Sequence, residues 1–574
     1  MTVIAFQSFQ GMNPDITPPL LPENFAVEAT NVFTDQGALD TWKALKQVGT
    51  SPIWNSKTGT LKSLYLLDNT RWLAFTETVH FAQMQKESNA DWETVFTGLD
   101  APRYTNKTLA VSGGGTAYPE VSYLLGIPAP GDTKTLVATK SNKATPANSK
   151  RASWQISGTV ADATGDRIAR SYIYTYVTSI ESGKREGPPS AASNIVYSND
   201  DEDIVLTPLV GGFSAPAGAY QIKYIRIYVS GTGGTYNYHS EVEITGQSSI
   251  TITDNGYGDP ITTTTWDGPP DALTGIVTMA NGMLAGYVGN NLYFSEPYQS
   301  HAWPGDYIKP MDYPISGLAA IGNMLFISTK GYPVVAVGNS PAYMTFNKLQ
   351  AIQANVSARS MVDMGVGAMY ASADGIVLLT NGNATMVSDG IISERVYQLL
   401  NPSSIHAYFY RDKYIGFYDS GLTGTITAGT DEIFPAKGAF ILDYKRKSIT
   451  FTDQTCDTAY SDKVSGKLYM VKNVAGTNNL YEWNEGSTNL PMAWRTRPTL
   501  TAPMTFAAAR VQAERYPVTF ELYVDETLKH TKVVADNSAF RLPAGFLGRK
   551  WQARISGDSY VNGVFIASSL EELV

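Results

Sequence analysis

Met283-Leu284-Ala285-Gly286-Tyr287-Val288 runs into Gly289-Asn290-Asn291 and comes back as Leu292-Tyr293-Phe294-Ser295. An apolar run, a short turn rich in Gly and Asn, and a second apolar run spell a tight β-hairpin. The same phrase recurs along the chain. Leu318 to Ile321 turns at Gly322-Asn323 into Met324 to Ser328, and Gly367 to Ala371 meets Ala373-Asp374-Gly375 before Ile376 to Leu379. Ala407 to Tyr410 turns at Arg411-Asp412 into Lys413 to Tyr418, and Leu468 to Val471 follows Ser465-Gly466-Lys467. Upstream, Ser63 to Leu66, Trp72 to Phe75 and Val79 to Ala82 form a similar meander. A unit returning about every 40 to 55 residues suggests stacked sheets in a propeller, where neighbours bury both faces of the inner strands.

Two stretches read differently. Residues 152–268 contain Ser171 to Thr178, which alternates over its whole length, then Tyr224 to Ser230 and Ser249 to Asp254. That spacing predicts a small β-sandwich, with Glu186-Gly187-Pro188-Pro189-Ser190 as a turn. From about residue 488 a second set of strands appears, with Thr519 to Val524 turning at Asp525-Glu526. The expected organisation is therefore all-β. It has an extended N-terminal segment 1–34, a propeller body split into 35–130 and 269–487, a linker at 131–151, the inserted sandwich at 152–268 and a C-terminal β-domain at 488–574.

Composition agrees with sheets. The 574 residues are 43% hydrophobic and 17% charged, with 34 Tyr and 50 Gly, and the mean hydropathy is −0.15. The net charge is −9. A protein that grips nucleic acid needs a basic stripe to neutralise phosphates. The densest basic spot, Lys445-Arg446-Lys447, reads as a hairpin turn, so tight DNA binding is not expected. The opening Met1 to Gln7 lacks the pattern of a signal peptide, and no 18-residue apolar run marks a membrane span.

The sequence offers little chemistry. Cys456 is the single cysteine, which excludes an intrachain disulfide and a cysteine zinc cage. His80, His239, His301, His406 and His530 show no metal-ligand spacing. There is no nucleophile elbow and no Walker loop, and Ser112-Gly113-Gly114-Gly115-Thr116 reads as a loop. Ser372-Ala373-Asp374-Gly375 reads as a structural turn. No catalytic, cofactor or metal site is expected, although carboxylates at glycosidase separation are invisible to sequence. The acidic run Asp200-Asp201-Glu202-Asp203 offers clustered oxygens of the kind Ca²⁺ takes, but without the glycine and ligand alternation of an EF-hand. It reads as an exposed hairpin tip, and is the candidate channel-facing or partner-facing loop.

Several stretches resemble a known group. Gly11 to Pro14, Leu21-Pro22-Glu23, Ala29 to Val32 and Gly37-Ala38-Leu39 are similar to the opening of tail nozzle, tail tubular and packaged-DNA-stabilisation proteins of short-tailed bacteriophages. Lys330 to Gly338, Ser357 to Gly365 and Tyr370 to Gly375 resemble the middle of that group, and Phe565 to Leu573 its close. Ala358 departs from it, standing where a cysteine or arginine is expected. The resemblance implies a non-enzymatic virion protein, assembled in the host bacterial cytoplasm. Six copies would form a ring below the portal that retains and then conducts double-stranded DNA. Its partners would be adaptor or head-to-tail connector proteins and tail fibres, spikes or a needle. Two other readings stand beside it. One is a carbohydrate-binding or glycan-cleaving propeller of a receptor-binding tail part, and the other is a bacterial adhesin, which the missing signal peptide disfavours.

Overall fold

The computed structural model describes residues 3–48, 59–68, 71–84, 92–112, 119–142, 168–180, 183–198, 202–230, 234–253, 256–429 and 431–573. Nearly all regular structure in them is β, and the α-helix Glu394–Leu399 has six residues. Seven small antiparallel sheets carry the hairpins. Sheet A is Ser63–Leu66 and Trp72–Phe75; sheet B is His80–Met84, Glu93–Thr97, Arg103–Thr105 and Tyr123–Leu124. Sheet C is Thr274–Thr278, Leu284–Val288, Asn291–Phe294 and Lys309–Pro310; sheet D is Ile315–Ile321, Met324–Thr329, Val334–Val337 and Thr345–Lys348. Sheet E is Val362–Asp363, Ala368–Ala371, Ile376–Thr380 and Asn383–Met386. Sheet F is His406–Tyr410, Lys413–Asp419, Lys437–Asp443 and Ser448–Thr452. Sheet G is Thr458–Asp462, Lys467–Val474 and Thr477–Glu482.

Each sheet shares an apolar cluster with the next, and the series closes on itself in a propeller-like arrangement. Phe75 meets Phe96 between A and B, and Tyr104 meets Leu284 between B and C. Phe294 meets Leu325 between C and D, and Val335 meets Tyr370 between D and E. Met369 packs with Tyr414 between E and F, and Phe417 with Trp483 between F and G. Leu480 and Trp72 return the series from G to A. Burial on both faces follows, so Ala368–Ala371 is buried at all four positions. The turns carry the backbone the hairpins need. Gly289 and Gly322 sit at φ 58° and 60°, and Arg411 and Asp412 at 48° and 63°.

A strand from before the ring closes it. Lys46–Gln47 adds to the outer edge of sheet G, with Gln47 opposite Tyr481. The chain ends are woven in the same way. Val3–Phe6 pairs with Val561–Ala567, and Ala26–Thr30 lies between Ser448–Thr452 of sheet F and Met492–Thr496. The described part of the N-terminal segment 1–34 thus carries the strands Val3–Phe6, Ala26–Thr30 and Val32–Phe33, with one short turn at Pro18–Leu20. Five C-terminal strands continue sheet F through Ala26–Thr30 in one twelve-stranded sheet, while Ala508–Ala513, Phe540–Arg541 and Val561–Ala567 join Val3–Phe6 in a sheet of four. Trp494 is fully buried at that seam, 4.9 Å edge-on from Phe9, and its Nε1 donates to the Gln10 carbonyl at 3.0 Å. Between Ala26–Thr30 and Val32–Phe33 the extended chain breaks at Asn31, which adopts φ 56°. There the Asn31 side chain donates to the Pro491 carbonyl and accepts from Thr452, which holds the break.

Between sheets B and C the chain builds two facing sheets. One has the order Leu136–Asn142, Glu202–Pro208, Ile250–Ile252. The other has the order Gly183–Pro189, Tyr172–Ile180, Ile222–Ser230, Tyr236–Glu243. Tyr172, Tyr174, Ile204, Leu206, Phe213 and Ile227 fill the space between them. Two expectations are corrected. Leu136–Asn142, assigned to the linker 131–151, is a strand in register with Glu202–Pro208, because its apolar Leu136 and Ala138 complete the cluster; residues 143–151 lie outside the described residues. Glu186 to Pro189, read as a turn, belongs to an edge strand, where proline removes no needed ladder hydrogen bond.

Candidate functional site

The innermost strands of sheets A, B, E, F and G surround a cavity of about 460 Å³ on the axis of the ring. Its charged lining residues are Lys62, Arg359, Asp363 and Lys463, joined by His80, Tyr408 and Tyr460. Asp363 and Lys463 form an ion pair with each other at the ends of their strands. Arg359 enters from the turn Ala358–Ser360, which sheets E and F hold rigidly. The Ser360 hydroxyl donates to the Ser357 carbonyl at 2.6 Å and accepts from the Ala371 amide at 2.9 Å. Ser357 donates to the Ile405 carbonyl, and the buried Tyr414 hydroxyl to the Ser360 carbonyl at 2.9 Å. Among the described residues the Arg359 guanidinium donates one hydrogen bond, from Nη2 to the Asp457 carbonyl at 2.9 Å.

The groups around this arginine are held neutral. Burial, reinforced by the Arg359 charge, lowers His80 to about 4 and His406 to about 3. Burial pushes the Cys456 thiol well up, with Arg359 opposing, so the thiol stays protonated and is a poor nucleophile. Tyr408 is raised by burial too. Its hydroxyl lies 3.2 Å from His406 Nδ1 and 3.4 Å from the Thr458 hydroxyl, and the His406 ring stacks on Phe417 at 5.4 Å.

A second, shallower cleft of about 270 Å³ lies on the outer strands of sheets C and D. Tyr313, Tyr332 and Phe346 line it. Lys348 Nζ sits 4.6 Å from the Tyr332 ring centre and 2.6 Å from Asp312.

The joint between sandwich and ring is polar and closed. Arg185 forms an ion pair with Glu93 of sheet B, whose residue is 1% exposed, and Ser300 donates to the same carboxylate at 3.0 Å. Beside it, Glu186 accepts from Arg226, Tyr228 and Thr175, each at 2.6 Å. His301 Nε2 lies 3.1 Å from the Glu186 carbonyl.

The acidic run falls in none of these places. Asp200 and Asp201 lie outside the described residues. Glu202 and Asp203 are not a hairpin tip: they begin the strand Glu202–Pro208, opposite Asn142 and Ser141. The pairing extends that far because the alternation of buried Ile204, Leu206 and Pro208 keeps its register back to Glu202, which meets Lys140 at 3.8 Å. Sequence reasoning named neither Arg359 as an axial residue nor Glu93 and Arg185 as partners. Arg359 did lie within a stretch singled out on other grounds, whereas nothing local to Glu93 or Arg185 marks their pairing. Ser372 does make the turn expected of it, accepting the Gly375 amide and donating to the Gly375 carbonyl.

No family model matches the chain, and no curated protein does. Solved structures match by shape. The extracellular domain of the one-component system BT4673 from B. thetaiotaomicron is 11% identical over 95% of this chain and 81% of its own, with a TM-score of 0.25. An exo-beta-1,3-galactanase from Phanerochaete chrysosporium is 7% identical over 89% of this chain and 100% of its own, with a TM-score of 0.18. The N-terminal domain of Nup159 is 10% identical over 75% and 98%, with a TM-score of 0.19. At such scores none of them carries an argument about this chain.

Proposed function

We propose that the chain is a structural subunit of the tail tube, or nozzle, of a short-tailed bacteriophage. In this reading it is an irregular β-propeller body with an inserted fibronectin type III-like sandwich and a C-terminal β-domain. Six copies close into a ring that retains and then conducts double-stranded DNA, and the ring anchors fibres, spikes or a needle below an adaptor. The protein turns over no substrate and works within the virion.

One observation supports this most. The stretches that resemble nozzle proteins at the two chain ends are the ones that stitch those ends together. Phe565 and Ile566 pair with Ala5 and Ile4, Thr30 pairs with Phe451 of sheet F, and the Leu39 amide donates to the Val561 carbonyl. At Gly11 a Cβ would stand 2.6 Å from the Ile449 carbonyl oxygen, so that glycine serves a close backbone approach. The motifs therefore have a mechanical meaning: chain ends tied to each other and to sheet F by backbone pairing suit a part that bears DNA pressure. The charge balance is compatible as well. Six copies at −9 carry −54, and a lumen poor in Lys and Arg lets phosphates pass without sticking.

Electron microscopy of the purified full chain and of the particle tests the reading. A closed ring with a lumen lined by carboxylates, amides and hydroxyls is expected. A monomer on the particle surface, or a lumen dominated by Lys and Arg, overturns it.

The alternative, a carbohydrate-binding or glycan-cleaving tail protein, is favoured by the outer cleft, where tyrosine faces stand beside Asp312 and Lys348. Aromatic faces with a few fixed polar groups suit a sugar ring. Glycan-array binding that is lost in Tyr332→Ala would support it over the tube.

A further inference from the structure

We propose that the axial cavity is a binding site for a small divalent oxyanion of the sulfate or phosphate class, with Arg359 as its principal ligand. The inference stands apart from the tail-tube reading.

Charge is the first argument. The chain as a whole carries −9, yet the charged side chains lining this cavity are three cations and one carboxylate. The carboxylate, Asp363, already has its cation in Lys463, which leaves Arg359 and Lys62 in excess.

The second argument is the state of Arg359. A guanidinium offers five N–H donors. The one hydrogen bond Arg359 makes among the described residues runs to a neutral carbonyl, and no carboxylate there pairs with it. Arg359 is half-buried, and a cation partly withdrawn from water is favoured by an anionic partner. The residues that face Arg359 instead are His80, His406, Tyr408 and Cys456, none of which supplies a negative charge near pH 7.

Rigidity is the third argument. The Ser357 and Ser360 hydrogen bonds and the Tyr414 hydroxyl fix the turn before any ligand arrives, so little ordering remains to oppose binding.

Size limits the ligand. A cavity of about 460 Å³ holds the volume of roughly fifteen waters, which is room for an oxyanion and part of its hydration shell but not for duplex DNA.

Isothermal titration of the full chain with sodium sulfate, at ionic strength held constant with chloride, tests the site. Saturable binding of one sulfate per chain is expected. Arg359→Gln should weaken it at least tenfold, Arg359→Lys should retain part of it, and Arg446→Gln, on an exposed hairpin, should leave it unchanged. Should Arg359→Gln fail to fold, Lys62→Gln and His80→Gln on the same cavity wall keep the question open to measurement, each with a several-fold loss expected. Glycerol 3-phosphate and inorganic phosphate separate the sources. Tighter binding of the ester assigns a phosphomonoester, and equal or weaker binding assigns the free anion. No saturable sulfate binding, or binding unchanged in Arg359→Gln and Lys62→Gln, overturns the proposal.

Discussion

Two arginines point into the interior, and their surroundings differ in kind. Arg185, at the joint between sandwich and ring, meets a carboxylate that is itself almost wholly buried. Arg359, on the ring axis, donates to a carbonyl and has two neutral imidazoles, a phenol and a protonated thiol around it beside an open cavity. The first arrangement is complete. Its charges cancel, Ser300 occupies a further lone pair of Glu93, and the Arg185 guanidinium lies 5.3 Å from the Tyr104 ring. Such a pair adds little net stability over a well-packed apolar joint, but breaking one half of it is severe. It therefore works as a lock that fixes how the sandwich seats on sheets B and C. The second arrangement is incomplete among the described residues, and incompleteness held rigidly is what a binding site looks like before its ligand arrives.

The largest expected effect breaks the lock. Arg185→Met takes the Arg185 cation away from the buried Glu93 carboxylate and should lose about 3–5 kcal/mol in urea unfolding. Adding Glu93→Gln in the same chain should recover a large part of that loss. If the single variant unfolds like the parent, the joint is not a lock. A precise excision of the sandwich meets the same difficulty at Glu93, so a deletion carrying Glu93→Gln should express better than one without it.

Acid sharpens the axial half of the comparison. Unfolded histidine takes up a proton near 6.5, while folded His80 and His406 hold it off to about 4 and about 3. The unfolded state thus binds more protons between those limits, and stability falls as pH drops through that window. Each histidine should contribute about 2 kcal/mol of loss between pH 7 and pH 5. Urea midpoints of the parent and of a His80→Gln, His406→Gln double variant at the two pH values measure the difference. A parallel fall in both proteins would mean that the histidines are not held neutral.

The smallest effect concerns the pair that belongs to neither class. Asp363 and Lys463 meet at the rim with side chains 32% and 47% exposed. Solvent screens such a pair, so Asp363→Asn should change stability by less than about 1 kcal/mol. A larger loss would show that the rim is shielded in a way its exposure does not suggest.

Local rules made much of the fold legible. Turn residues with left-handed backbone, such as Gly289, Gly322 and the Arg411-Asp412 pair, announce their hairpins because the required φ values are set within two residues. Apolar runs on both sides of those turns announce sheets buried on two faces. The same rules failed where alternation was weak or polar. Leu136–Asn142 carries only two inward apolar residues and passed as a linker, and Glu202 and Asp203 looked like a loop because both are acidic. Proline in Gly183–Pro189 suggested a turn, since sequence cannot tell an edge strand from a central one.

By itself, then, the sequence determined that the chain is almost entirely β, where most hairpins turn, and that it carries no familiar catalytic or metal motif. Each of these depends on residues within a few positions of one another. Only the tertiary structure decided the rest. It threaded Ala26–Thr30 between strands more than 400 residues away, and it closed sheet G with Lys46–Gln47. It also brought Glu93 to Arg185, and Arg359 to His80 and His406. The physical reason is that a strand's edge hydrogen-bonds to any backbone that reaches it in register, so nothing in the local sequence names the partner. Burial and charge pairing are likewise settled by whichever surfaces the closed ring presses together.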